Sequence, residues 1–286
     1  MSFHDWWTNE NNPSLPKSEY LFGTRHIIMI CAAVLAVIVL SIIFFNKTQR
    51  AKNILLSILV SILLFFEITS RVVNLAICKE FSWQNILKIL LPMHICSVAV
   101  VTLIISFFLK KKMLLSFSTI LGIIATFAFL AYPAVGINKT YISFTCLYSI
   151  TSHVTGFVVA CLLINLGYVK FEFKDIWKTY LCFAIMFGYG ALLDFVILPG
   201  SDYMYLRNDP LELSLNFPYH ILYGALLMLY IFMFYFITFI VDKIKRKRAS
   251  KKTQKSIRSQ PWNLFRCGSA KYNSFELTFR RVVFCF

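Results

Sequence analysis

Asn53–Ile77 reads NILLSILVSILLFFEITSRVVNLAI, an apolar run of bilayer-spanning length whose only charged members are Glu67 and Arg71. A charge at the bilayer centre costs roughly 3 kcal/mol on insertion scales, so an ionisable residue inside a span marks a candidate site. Glu67, Arg71, Asn74 and Cys78 are spaced by four, three and four residues. That spacing lays them along one stripe of a helix.

Working outward, apolar windows of similar length occur at His26–Phe45, Ile86–Leu109, Met113–Pro133, Ser143–Gly167, Trp177–Leu198 and Pro218–Val241. Over the whole chain, 58% of the 286 residues are hydrophobic and 15% charged. A soluble domain so poor in charge would expose large apolar patches, so the expected fold is all-α and polytopic, with seven transmembrane helices. The two halves do not mirror one another as the halves of an inverted-repeat transporter do.

The net charge of +16 is concentrated at one end. From Lys243 onward lie 13 of the 29 Lys and Arg against one of the 13 acids, Glu276, which leaves residues 1–242 at only +4. A basic run after a final span is a cytoplasmic anchor to anionic lipid headgroups. Nothing beside it resembles a nucleic-acid recognition module, and no nucleic-acid partner is expected.

The connections set the orientation. Lys47, Arg50 and Lys52, then Lys110, Lys111 and Lys112, then Lys170, Lys174 and Lys178 occupy alternate connections, on the same side as the tail. The intervening ones are poorer in base, which predicts the N-terminus outside and the C-terminus inside. The expected organisation is an extracytoplasmic segment at 1–20, the seven-helix domain at 21–242 and a basic, disordered cytoplasmic tail at 243–286, in a cell-membrane protein. Eight Cys with no CxxC spacing, several of them inside apolar segments, suggest neither a disulfide framework nor zinc.

With this orientation the polar residues gather toward the outer leaflet. Glu67, Arg71 and Asn74 lie in the outer half of the second segment, Ser149, Ser152 and His153 in that of the fifth. His94 and Cys96 start the descending third segment, Asp194 ends the sixth, and His220 and His26 open the seventh and first. Each also has a plainer reading. Glu67 and Arg71 neutralise one another as an i,i+4 pair; Asp194, His26 and His220 sit at wet interfaces; His94 and His153 are core histidines bonded across helices.

Particular chemistries can be weighed by spacing. Retinal chemistry needs a lysine in the last span, which has none, and helix-borne metal pairs need two His one turn apart, whereas each helix has at most one. A bis-His haem between helices stays open; no cofactor or metal is expected. Acyl transfer needs a nucleophile near a base. Cys96 or a hydroxyl among Ser149, Thr151 and Ser152 would serve with His94 or His153.

Leu91-Pro92-Met93-His94-Ile95-Cys96 resembles the "LPLHLC" element of the bacterial YwaF-type integral membrane proteins. Phe22-Gly23 with His26, Glu67, Ser152-His153 and Gly200-Ser201-Asp202-Tyr203-Met204-Tyr205-Leu206 before Pro210 are similar to that family in order and spacing, over residues 20–241. The resemblance implies kinship with eukaryotic multi-span acyltransferases that remodel ether phospholipids through the cysteine of a Pro-Cys-His element. The histidine is matched by His94, but Met93 stands at the cysteine, and a thioether forms no acyl-enzyme. Cys96, three residues on, lies on nearly the same helical face.

The expected function is lipid or acyl-group handling at the outer leaflet, by acyl transfer or hydrolysis, with membrane lipids as partners. His94 is then the base, His153 a second acid–base or orienting group, Cys96 the alternative nucleophile, and Glu67–Arg71 a headgroup clamp within a substrate-binding set of Asn74, Ser149, Ser152, Asp194, His220 and His26. The rival is a non-enzymatic small-molecule sensor, transporter or accessory subunit.

Overall fold

The computed structural model describes residues 6–7, 12–132, 137–202 and 219–258, with side chains of the last helix from 221 to 244. Its helices are α1 (Thr24–Phe45), α2 (Gln49–Ala76), α3 (Trp83–Leu90), α4 (Ile95–Leu109), α5 (Lys112–Ala131), α6 (Phe144–Asn165), α7 (Ile176–Ala191) with a π-helical continuation Leu192–Ile197, and α8 (Tyr219–Arg258). Among the described residues the only β pairing is an isolated bridge, Ser14 with Lys139. Side-chain oxygens start three of the helices: Thr48 accepts from the Ala51 amide, Ser82 from Asn85 and Ser143 from Cys146.

Six helices are long and apolar enough to cross a membrane, and the pair α3 and α4 makes a seventh crossing if it counts as one span. The expected third span, Ile86–Leu109, is therefore not one continuous helix. It bends by 59° between Leu90 and Ile95. The cause is Pro92, which has no N–H to donate and pushes the preceding residue out of the α region; Leu91 sits at φ −84, ψ 146. The connection expected at Lys110–Lys112 is a tight turn, and Lys110 closes α4 in the left-handed conformation at φ 53. α8 does not stop with its apolar run but continues to Arg258, into the basic segment.

α5 and α6 form the centre. The spanning window of α5 is 72% buried by other parts of the chain, whereas that of α8 is 11% buried, so α8 lies at the rim. Small residues allow the close approach. A Cβ added to Gly122 would lie 2.9 Å from Leu103 Cδ1 and 3.2 Å from Ala160 Cβ, so α4, α5 and α6 meet there without room for a methyl group. Phe157 and Val158 through Leu163 of α6 are all buried in this contact. Outward-facing side chains such as Ile28, Leu35, Ile58, Phe65 and Ile185 are exposed and apolar, as a lipid-facing surface requires.

Each end of the bundle is tied differently. At the lysine end, Lys112 Nζ donates to Glu172 (3.0 Å) and Asp175 (2.8 Å), Lys174 pairs with Glu172 (2.8 Å) and Lys178 with Asp175 (2.7 Å). Lys174 and then Lys112 hold the Glu172 carboxyl below its ordinary range. At the opposite end, residues 12–15 are sewn to residues 138–141. The Leu15 amide donates to Asn138 O (2.8 Å), the Thr140 amide to Pro13 O (3.0 Å), and Asn12 exchanges two hydrogen bonds with the Tyr141 backbone (2.7 and 3.0 Å). Trp6 and Trp7 pack on Phe144 at the start of α6.

Candidate functional site at the broken helix

Four residues outside both helices, Leu91 to His94, lie inside the third apolar segment, capping α3 at one end and α4 at the other. Non-helical backbone at membrane depth persists only where protein buries it or where it lines a wet cavity. Here one side of the break is covered by protein and the other opens on a groove. Arg71 Nε–H of α2 donates to Leu90 O at 2.9 Å, and Tyr189 Oη of α7 reaches Pro92 O at 3.5 Å. Met93 is buried against Leu193 and Leu198. His94 is exposed, and its side chain makes no capping hydrogen bond to α4.

The exposed side opens on a groove of about 810 Å³ lined by Trp83, Gln84 and Lys88 of α3, by His94, and by residues 196–202 at and after the end of the π turn. α3 is amphipathic: Trp83, Ile86, Leu87 and Leu90 share one face, Gln84 and Lys88 the other. The second wall follows a register change. Leu198 N donates to Leu193 O (2.8 Å), a five-residue step of the kind that recurs at functional sites. It buries Asp194 completely, where Ser201 Oγ–H lies 2.9 Å from Oδ1 and 2.7 Å from Leu198 O. Gly200, at φ +98, turns the chain so that Ser201 and Asp202 face the groove.

Glu67 and Arg71 stand behind the break rather than in the groove. Arg71 Nη1 lies 2.5 Å from Glu67 Oε1, and Tyr148 Oη–H donates to Glu67 Oε2 at 2.8 Å. Glu67 is 4% exposed, and both its oxygens are used. The pair is a support for the broken backbone.

A second polar layer lies between α4, α5 and α6. His153 stacks on Phe129 with ring centroids 3.8 Å apart. Its Nδ1 is 2.6 Å from Ser149 O, and a carbonyl only accepts, so the neutral ring carries its proton on Nδ1 and leaves a lone pair on Nε2. Cys96 Sγ points at Ala125 O, 3.6 Å away. Position 156 lies near Thr126 Cγ2 and Val100 Cγ2, so one turn back along the parallel helices α4 and α6 Cys96 and Ser152 share a level. Ser152 Oγ is buried without a hydrogen-bond partner among the described residues.

The expected residues thus fall into separate places. His94 lines the groove; Asp194 lies one hydrogen bond behind its wall, through Ser201. Cys96, Ser149, Ser152 and His153 belong to the interior layer, and none of them lines the groove. His26 is structural. The Phe22 amide donates to its Nδ1 (2.9 Å), so its proton is on Nε2 and goes to Leu130 O (2.6 Å). It clamps the start of α1 to the end of α5. Asn74 is exposed and bonds to Ser70 of its own helix (3.4 Å). His220 is in α8, but its side chain lies outside the described residues.

Sequence reading names none of Lys88, Trp83, Gln84, Tyr148 and Tyr189 as site residues, and takes Ser201 and Asp202 only as part of the family resemblance. The amphipathic spacing of Trp83–Leu90 was a usable signal for the first three; the tyrosines carried none, because a Tyr in a span is ordinary. Among the described residues, no group of three or more His, Cys, Asp and Glu is arranged to hold a metal.

No curated protein and no solved structure matches the chain. A family model does, that of the TMEM164 family, over residues 21–238, which takes in every helix from α1 to α7 and most of the apolar stretch of α8. The chain is a multi-pass membrane protein and belongs to the TMEM164 family.

Proposed function

We propose that the protein crosses the cell membrane seven times, with its N-terminus outside, and handles a lipid or its acyl group in the outer leaflet at the broken helix. The observation that carries this reading is the groove: a space of about 810 Å³ at a helix break, lined by His94, Lys88, Ser201 and Asp202 beside the exposed apolar Trp83 and Val196. Polar groups converging in a largely apolar concavity of this size are what a ligand site needs, and an amphiphile presents both kinds of surface. The lysine-rich connections at one end support the orientation. The basic run from Lys243 engages anionic headgroups of the inner leaflet.

In the acyl-transfer form of this reading His94 is the base at the groove. His153, its Nε2 lone pair available, serves the interior layer as a second acid–base group. Met93 brings no nucleophile to the break, so a covalent route falls to Cys96. The burial of Met93 among leucines favours one second reading, a protein that binds its ligand without chemistry.

The test is a preparation purified from membranes, with bound lipid identified by mass spectrometry, combined with serine- and cysteine-reactive lipid-like probes. Acyl chemistry predicts labelling that needs His94, and labelling at Cys96 for the covalent route. Bound lipid without labelling selects the binding protein. Absence of any enriched lipid would refute lipid handling.

A further inference from the structure

The Phe22-Gly23 step before His26 takes no part in the groove. It joins α1 to residues 12–20, which cross the end of the bundle opposite the lysines. Phe22 sits at φ 59, in the left-handed region that a bulky residue occupies only under strain. At position 23 only glycine fits, because a Cβ there would run into Glu19 O. Beyond this step the segment bridges the end of α5 and the start of α6. Lys17 Nζ lies over the Tyr132 ring, 5.0 Å from its centroid. Asn12 bonds to the Tyr141 backbone, and the Leu15 amide donates to Asn138 O. From the first turn of α1, Arg25 donates across to Lys139 O (3.0 Å) and Thr140 O (3.2 Å). Most of this hold lies at the surface, where Pro13, Ser14, Pro16, Lys17 and Glu19 are exposed. A segment held by surface hydrogen bonds with little apolar burial opens more readily than the core.

The interior polar layer lies beneath this clasp. Phe129, on which His153 stacks, is three residues below Tyr132, about 4.5 Å along the helix. Cys146, Ser149 and His153, spaced by three and four residues, share one face of α6. Cys146 is buried at the top of that face, its Sγ directed at Tyr141 O, 3.9 Å away. Lower down, Ser152 Oγ is buried with no hydrogen-bond partner among the described residues. We infer that residues 12–20 are a lid over this layer, hinged at Phe22-Gly23. Closed, as here, it seals the seam between α5 and α6; lifted, it admits water and small polar solutes to Ser149, Ser152 and His153. Arg25 is the latch. The strain at Phe22 is held in the closed lid and released when it lifts, so the hinge favours opening. The lid rests on the lipid reading only for which substrate enters, because its opening needs none.

The test uses the full chain in nanodiscs, with its native cysteines replaced by alanine and one reporter thiol, Ser152→Cys. The readout is the rate at which that thiol is modified by a trimethylammonium-bearing methanethiosulfonate. Arg25→Ala should raise the rate about tenfold, the loss of one charge-assisted hydrogen bond from the closed lid. Phe22→Gly should lower it about threefold, because glycine keeps the left-handed conformation without strain. A second reporter, Val159→Cys in the buried core of α6, should stay unmodified in every variant. Should Arg25→Ala fold poorly, Asn12→Ala frees the far end of the lid and takes its place. Equal rates in all variants, a faster rate in Phe22→Gly, or acceleration at Val159→Cys as well would overturn the lid. None of these outcomes bears on lipid handling, which is read separately by bound lipid and labelling.

Discussion

Arg71 Nε lies 2.9 Å from the carbonyl oxygen of Leu90, so a guanidinium on α2 caps the end of α3 where Pro92 breaks the third segment. The same side chain pairs with Glu67, which Tyr148 also holds. A charge pair with a buried carboxylate and a half-buried guanidinium therefore supports the stretch of non-helical backbone inside the third apolar segment.

Removing one partner of that pair should cost more than removing both charges. Arg71→Ala leaves Glu67 buried and unpaired and Leu90 O without its donor, an expected loss of about 3–5 kcal/mol. Glu67→Gln with Arg71→Met should cost less, because no charge is stranded. Thermal unfolding in detergent measures both, and equal destabilisation would show that the two charges do not depend on each other.

His94 and His26 should separate function from stability. His94 is exposed at the groove, so His94→Ala is expected to fold with wild-type yield while ligand retention or labelling drops. His26 is fully buried between two hydrogen bonds. His26→Ala should lower stability by about 1–3 kcal/mol through the stranded Leu130 carbonyl, with retention per folded molecule unchanged. The reverse pattern would exchange their roles.

Gly122→Val adds bulk where Leu103 and Ala160 already meet the backbone. Overpacking should cost about 1–3 kcal/mol, read as a lower melting temperature. Gly188→Val, with nothing within 4 Å of its Cβ position, is the control and should cost less.

Acid should loosen the lysine end. The folded carboxyl of Glu172 is depressed by Lys174 and Lys112, so the stability it adds is complete above the ordinary glutamate range. It is lost as pH falls through that range toward the lower folded value. Melting temperatures of wild type and Glu172→Gln should therefore differ at neutral pH and low salt and converge in acid. A difference that grows in acid would show the opposite linkage.

Topology is directly measurable. Single cysteines at Lys111 and Lys139 should react with an impermeant reagent from opposite sides of the membrane, Lys139 from outside. Labelling of both from one side would be incompatible with the alternating crossings on which the outer-leaflet reading depends.

What the sequence determined by itself was the helical, multi-pass class, the approximate limits of the spans and the stripe of Glu67 and Arg71. Hydrocarbon demands long apolar runs with their backbone satisfied internally, and such runs are readable one residue at a time. The Lys110–Lys112 turn was legible for the same reason, since charge ends a span. Only the tertiary structure decided that the third apolar segment is broken with Pro92 in the break, that Arg71 bonds to the Leu90 carbonyl there, and that His26 is a clamp. It also decided that Lys88 and Asp202, distant in sequence, share a groove with His94, while His153 joins Cys96 and Ser152 in another layer. Those outcomes depend on which faces of separate helices meet and on a π turn that shifts the register after Ala191. A linear pattern of apolar residues carries neither, because every face of a helix in lipid can be apolar.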